Sequence, residues 1–311
     1  MKIIAVVVLL GLFNVSTLQA QIGEETVVLE TGSGNIEGTL LVPETTECIP
    51  VALIIAGSGP TDRDGNNPMM KNNSLKMVAE GLSENEIATL RYDKRGIGAS
   101  QAAGLKEKDL RFEDYIKDAK AWVKALKNDK RFSEVIIVGH SEGSLIGMIA
   151  ANKDITKFIS LSGSGLTAGD LIKQQLSAKA PMLSDQVADI VAKLENEKTV
   201  DSVPPMLFSL FRPSVQPYMI SWMRYDPAKE IAKLNIPILV VQGTTDLQVD
   251  LAQAEKLAGA NPKAELEIID GMNHILKEAP SDPRENIKTY ADPDLSLKEG
   301  VVDKLSSFIK N

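Results

Sequence analysis

Six short apolar runs, each closed by glycine or a polar loop and separated from the next by residues of different pattern, constrain the fold of this chain more than any other feature. They span 51–56, 87–92, 135–138, 158–161, 238–241 and 266–269. Runs with almost no polar alternation have no solvent face, so they read as strands buried on both sides of a parallel sheet. The intervening segments supply the cover. Phe112, Tyr115, Ile116, Ala119, Trp122, Val123 and Leu126 recur at three- and four-residue steps, which puts one apolar stripe of a helix against a sheet. Leu145, Ile146, Met148 and Ile149 predict a second such helix, and Val301, Val302, Leu305, Phe308 and Ile309 a terminal one. Ahead of them, Val27-Val28-Leu29 and 36–42 flank the turn-rich Thr31-Gly32-Ser33-Gly34-Asn35, the pattern of an antiparallel hairpin. Alternation of this kind predicts an α/β architecture, a mostly parallel sheet with helices on both faces.

One stretch departs from the alternation. Between 164 and 225 there is no convincing strand, but there are helical segments, a Pro204-Pro205 break and many large apolar residues, among them Met182, Leu183, Met206, Leu207, Phe208, Phe211, Met219, Trp222 and Met223. This reads as a helical cap inserted after the sixth strand. Its apolar side chains pack the cap onto the body in the simpler reading. In the sharper one some of them line a pocket for an acyl chain, since flexible thioethers suit varied apolar ligands.

The first twenty residues have a different character: Lys2, an apolar run over 3–13, then polar residues leading to Ala20. That order predicts a signal peptide over 1–20 and an exported protein, periplasmic or secreted, that occupies 21–311 as one domain. The apolar run is about half of the roughly 20 residues a membrane-spanning helix needs, so a retained anchor is the weaker alternative and no stable membrane insertion is expected after cleavage. Cys48 is the single cysteine, which excludes an internal disulfide and a thiolate metal cluster. With a formal net charge of −8 and scattered Lys and Arg, the chain offers no footprint for nucleic acid.

The strongest local signal is Gly139-His140-Ser141-Glu142-Gly143, a G-x-S-x-G pattern set between an apolar strand and an apolar helix. A serine on such a sharp strand-to-helix turn stands clear of the sheet, and its neighbours must be small. A hydroxyl is a poor nucleophile without a base in reach, and the chain holds two histidines. His140 lies inside the turn with its ring directed away from Ser141, a packing position. His274, in Gly271-Met272-Asn273-His274 after the last strand, is the candidate general base. The carboxylate that orients it belongs between serine and histidine in chain order. Asp246 fits best, following the apolar 238–241 strand at the carboxyl edge of the sheet where parallel sheets place their sites. Asp250 is its main competitor and helix capping its plain alternative, while Asp270 lies on the wrong side of the histidine loop. Two backbone N–H groups are candidates for an oxyanion hole: Glu142, next after the serine, and Ser58 in the Ala56-Gly57-Ser58-Gly59-Pro60 loop after the third strand. That loop lacks the lysine of a phosphate-binding loop. Asp62, Arg63 and Asp64 beside it read as a salt-bridged turn before they read as a substrate site, and Arg91, Asp93 and Arg95 as braces for loops.

These residues resemble the bacterial esterase and lipase-like branch of the α/β-hydrolase superfamily, related to dienelactone-hydrolase-like and prolyl-oligopeptidase-like enzymes. The likeness runs through Gly57-Ser58-Gly59-Pro60-Thr61-Asp62-Arg63-Asp64-Gly65-Asn66, Arg91-Tyr92-Asp93-Lys94-Arg95-Gly96-Ile97-Gly98, the serine turn, Ser214-Val215-Gln216-Pro217-Tyr218 and Met272-Asn273-His274. It implies the α/β-hydrolase fold and hydrolysis of carboxylic esters of short to medium acyl chain through a Ser-Asp-His triad. The small-molecule ester would need neither cofactor nor metal. Ser144 departs from the pattern, standing where many relatives carry a further glycine, and serine at 141 argues against true dienelactone hydrolases, which use cysteine. A small peptidase, amidase or thioesterase would use the same machinery, and a ligand-binding receptor of this fold would keep the residues without the turnover. Nothing in the sequence fixes the oligomeric state.

Overall fold

A computed structural model of the chain describes residues 22–311, so the leader expected over 1–20 lies outside the described residues. Eight strands of the described residues form one sheet: β1 (Ile22–Thr31), β2 (Gly34–Pro43), β3 (Ile49–Ile55), β4 (Ala88–Tyr92), β5 (Phe132–His140), β6 (Ile155–Leu161), β7 (Ile238–Gly243) and β8 (Ala264–Ile269). Their spatial order is β1-β2-β4-β3-β5-β6-β7-β8, and only β2 runs against the rest. β1 and β2 are the expected hairpin, joined through Gly32 and Ser33.

Among the described residues eleven α-helices accompany the sheet: α1 (Ser74–Glu84), α2 (Phe112–Asn128), α3 (Glu142–Ala150), α4 (Ala168–Lys179), α5 (Ser184–Glu195), α6 (Phe208–Phe211), α7 (Gln216–Met223), α8 (Pro227–Ile231), α9 (Leu251–Gly259), α10 (Pro283–Lys288) and α11 (Val301–Lys310). Successive strand side chains point to opposite faces, so the apolar runs feed two cores at once. Val51, Leu53 and Ile55 pack with the stripes of α2 and α3, together with Leu257 of α9. Ala52 and Ile54 pack on the other face with Leu75, Val78 and Leu82 of α1 and Val301, Leu305 and Ile309 of α11. All seven residues of the α2 stripe are buried.

β8 differs from the expectation. It is the end strand of the sheet, with β7 its one neighbour, and the helices cover it incompletely: Leu266 and Ile268 are 37% and 38% exposed. Between β6 and β7 the chain forms α4 to α8, and α4, α5 and α7 close on a third apolar cluster of their own, with Val191, Leu194, Leu207, Phe211 and Met219 at its centre. Met182, Met206 and Phe208 instead face outward.

The junction of β5 and α3 is tightly packed. Ser141 sits between them at φ 54° and ψ −121°, a conformation that an L-residue adopts only under constraint. The constraint comes from its neighbours. A Cβ added at Gly139 would stand 2.4 Å from the Gly143 carbonyl oxygen, and one at Gly143 would stand 2.2 Å from that of Ile55. Ser144 uses its departure from glycine: its hydroxyl lies 2.7 Å from that of Ser160 and ties α3 to β6. Gly143→Ala should therefore lower stability to urea by about 1–3 kcal/mol through overpacking. Gly259→Ala, with nothing within 4 Å of the added Cβ, should stay within about 1 kcal/mol of the parent or exceed it. Equal losses in the two variants would contradict the packing account.

Candidate active site

Three side chains from three separate loops at the carboxyl ends of the strands meet at the elbow. Ser141 Oγ lies 3.1 Å from His274 Nε2, and His274 Nδ1 lies 2.8 Å from Asp246 Oδ2. A carboxylate only accepts, so Nδ1 carries a proton; in the neutral ring Nε2 then holds the lone pair and accepts from the serine hydroxyl. The Asp246 side chain is fully buried and its remaining capacity is filled: Oδ1 accepts from the amides of Gln248 (2.7 Å) and Val249 (3.0 Å), and Oδ2 also accepts from Gln242 Nε2 (2.9 Å). Burial pushes this carboxyl up, but attraction to His274 when that ring is protonated and its hydrogen bond, helped by the two amides, outweigh it and hold the group below its ordinary value.

The competing carboxylates are engaged elsewhere. Asp250 caps α9 by accepting from the Gln253 amide and also accepts from Gln174 Nε2 at 2.7 Å. Asp270 accepts from the Thr244 hydroxyl at 2.9 Å. His140 is buried, and its Nε2–H donates to the His274 carbonyl oxygen at 2.8 Å, which fixes the loop that carries the second histidine. Burial, and second to it repulsion from His274 when that ring is protonated, lowers the His140 pKa to about 4, so this ring is neutral.

Glu142 opens α3, where the first-turn amides have no partner inside the helix. Ser58 stands at the exposed mouth of the loop after β3, and the Thr61 hydroxyl braces that loop by donating to the Ser58 carbonyl at 2.8 Å. Both Ser58 and Glu142 line a cavity of about 410 Å³ that begins at Ser141 and His274 and runs beneath the inserted helices, walled by Leu145, Leu171, Ile172, Met219 and Trp222. A smaller cavity of about 220 Å³ opens on the other side of Ser141 and has a polar lining that includes Thr61, Asn67, Asn72 and Gln248.

The charged residues of the flanking motifs are braces. Arg63 pairs with Asp93 (2.8 Å) and Glu37 (2.9 Å), Arg91 with Asp64 (2.7 Å), and Arg95 with Asp118 (2.5 Å). Sequence reasoning passed over Lys94. Its side chain is fully buried, with Nζ 2.5 Å from the Gly57 carbonyl oxygen and 3.4 Å from Glu142 Oε2, while the Tyr218 hydroxyl donates to Glu142 Oε1 at 2.5 Å. No local signal marks it, because a lysine inside Asp93-Lys94-Arg95 looks like part of a solvated run.

The family described as Serine aminopeptidase, S33, matches residues 71–209. Esterase EstD of Thermotoga maritima is 28% identical over 262 residues, covering 81% of this chain and 61% of its own length, so the chain spans about three fifths of that relative. A monoglyceride lipase homolog of monkeypox virus is 24% identical over 76% of this chain and 87% of its own. Among solved structures, Est1E from Butyrivibrio proteoclasticus with bound ferulic acid superposes with a TM-score of 0.61 at 18% identity, covering 91% of this chain and 96% of that one. A dienelactone hydrolase from Anabaena variabilis gives a TM-score of 0.53 at 17% identity, with 93% and 98% covered. The topology, the strand-to-helix serine turn and the structural similarities agree on the α/β-hydrolase fold for this chain, and the sequence likeness is to proteins described as a serine aminopeptidase, an esterase and a monoglyceride lipase homolog.

Proposed function

We propose that this protein hydrolyses carboxylic esters through an acyl-enzyme, with Ser141 as nucleophile, His274 as general base and then general acid, and Asp246 as the group that holds the imidazole in its reactive tautomer. The observation that carries this reading is the unbroken hydrogen-bond chain from Ser141 through His274 to a buried carboxylate, opening directly onto an apolar cavity. Ser141 Oγ attacks the ester carbonyl as its proton passes to His274 Nε2. The amides of Ser58 and Glu142 receive the oxyanion, the alcohol leaves with the proton, and water repeats the sequence to free the acid. Asp246 stays ionised throughout and stabilises the imidazolium. His140, uncharged above about pH 4, adds no competing charge beside it.

The cavities support esters of an apolar group joined to a small polar one. The larger takes a short to medium acyl chain under the inserted helices, and the smaller takes a compact uncharged partner among Thr61, Asn67 and Asn72. The family's aminopeptidase description supports a second reading, cleavage of an N-terminal peptide bond. That reaction calls for a carboxylate to receive an ammonium group. Glu142 is the single carboxylate lining either cavity among the described residues, and it is committed to Lys94 and Tyr218, which favours the ester. The leader-like 1–20 segment supports export to the periplasm or the medium, and among the described residues no helix is long and apolar enough to cross a membrane.

A fluorophosphonate probe should add once to the parent protein and not at all to Ser141→Ala, and the substitution should lower p-nitrophenyl butyrate turnover by a factor on the order of 10⁴–10⁶. Well-folded parent protein that neither labels nor turns over any acyl substrate would favour a ligand-binding receptor instead. A second measurement concerns pH. His140 has a folded-state pKa of about 4 against an ordinary 6.5, so between those values the unfolded chain holds a proton that the native chain lacks. Stability should fall as pH drops through that window, by on the order of 3 kcal/mol from this group, and should show no contribution from it above the window. In urea titrations from pH 7 to 4, His140→Asn should flatten that fall; an unchanged slope would mean that His140 protonates freely in the fold.

A further inference from the structure

We propose that Lys94 is a positioning residue for the reaction, and that one ammonium group holds both arms of the oxyanion hole. The proposal rests on the hydrolase reading above and adds a residue to it. Lys94 Nζ donates to the carbonyl oxygen of Gly57 at 2.5 Å and faces Glu142 Oε2 at 3.4 Å. The Gly57 carbonyl belongs to the same peptide unit as the Ser58 N–H. A peptide unit is planar, and the described chain contains no cis peptide bond, so anchoring its C=O aims its N–H the opposite way. The second contact holds the side chain of the residue whose own backbone N–H forms the other arm. The two donors lie far apart in sequence, and Lys94 touches the residue of one and the peptide unit of the other.

The surroundings make this a built arrangement. Tyr115 presents its ring 5.0 Å from Nζ, and the Tyr218 hydroxyl donates to the other oxygen of Glu142 at 2.5 Å. Asp93 and Arg95, on either side of Lys94, are each locked to other elements: Asp93 by Arg63 and the Ala99 amide, Arg95 by Asp118. A buried ion pair is a poor device for stability, because desolvating two charges costs about as much as their attraction returns and an apolar pair of equal volume does as well. Its contribution here is directional: a charged donor holds a carbonyl more firmly than a neutral one and draws electron density through the peptide toward oxygen, which makes the N–H a better donor. Tyr218 comes from α7, so the inserted helices also bear on the hole through the same carboxylate.

The test uses the full chain. Fluorophosphonate titration to completion counts competent sites, and p-nitrophenyl butyrate hydrolysis per titrated site is compared in the parent, Lys94→Met, Glu142→Gln and the double variant. Lys94→Met should lower kcat about 10–100-fold with KM within about twofold, since the contact matters where the oxyanion develops and not where substrate rests. The double variant should cost no more than Lys94→Met alone, because the two groups act as one unit. A purely structural role would lower the melting temperature and the number of titrated sites, leaving kcat per site within twofold, and that result would overturn the proposal. Tyr218→Phe removes one oxygen from the same unit and decides the matter if Lys94→Met does not fold: a several-fold loss of kcat at constant KM supports it, and an unchanged kcat overturns it. Failure of the parent to label or turn over would strike the hydrolase reading itself, a distinguishable result.

Discussion

The contact between the start of α3 and the ends of β3 and β5 is the constraint on which the rest of the site depends. The helix backbone approaches those strands so closely that positions 139 and 143 have no room for a Cβ. Ser141 is left with a left-handed backbone that propensity alone would never select. The cores on the two faces of the sheet supply the free energy that holds it there, since burial of two rows of aliphatic side chains far exceeds the few kcal/mol of one strained residue. The reward is geometric. A hydroxyl at the tip of a turn reaches a histidine from another loop.

Two imidazoles lie with ring centroids 5.0 Å apart, and the fold treats them differently. His140 is enclosed and spends its one proton on the carbonyl of His274, so it works as a backbone clamp. His274 keeps an open nitrogen toward Ser141 and a filled one toward Asp246. Burial disfavours charge on the His140 ring. The difference lies in the carboxylate, which is ionised because four donors converge on it.

Much of this was legible in the amino-acid order. A strand without a polar face has one environment available, and two histidines leave one candidate once the elbow has claimed the other. Asp246 was readable because it follows an apolar strand at the edge where parallel sheets open. What stayed hidden depends on contacts across long separations. The partners of Lys94 stand 37 and 48 residues away, and nothing in a local charge pattern distinguishes a lysine that is wholly enclosed from one in water. β8 was misread for a related reason: periodicity reports what a strand can bury, and its place at the end of the sheet decides what it does bury. The two cavities, one apolar and one polar, likewise arise from residues that meet only in the folded chain.

The proposed triad is spread widely along the polypeptide: 133 residues separate its serine from its histidine, and 28 separate the histidine from its carboxylate. During synthesis the elbow and the first six strands emerge well before the loop that activates them. If Ser141 is the nucleophile proposed above, a ribosome-bound or partly collapsed chain carries an inert hydroxyl, activated only when β7, β8 and the loop beyond them dock on the finished sheet. On the proposed mechanism, reactivity is a property of the closed fold, acquired at the last step of assembly.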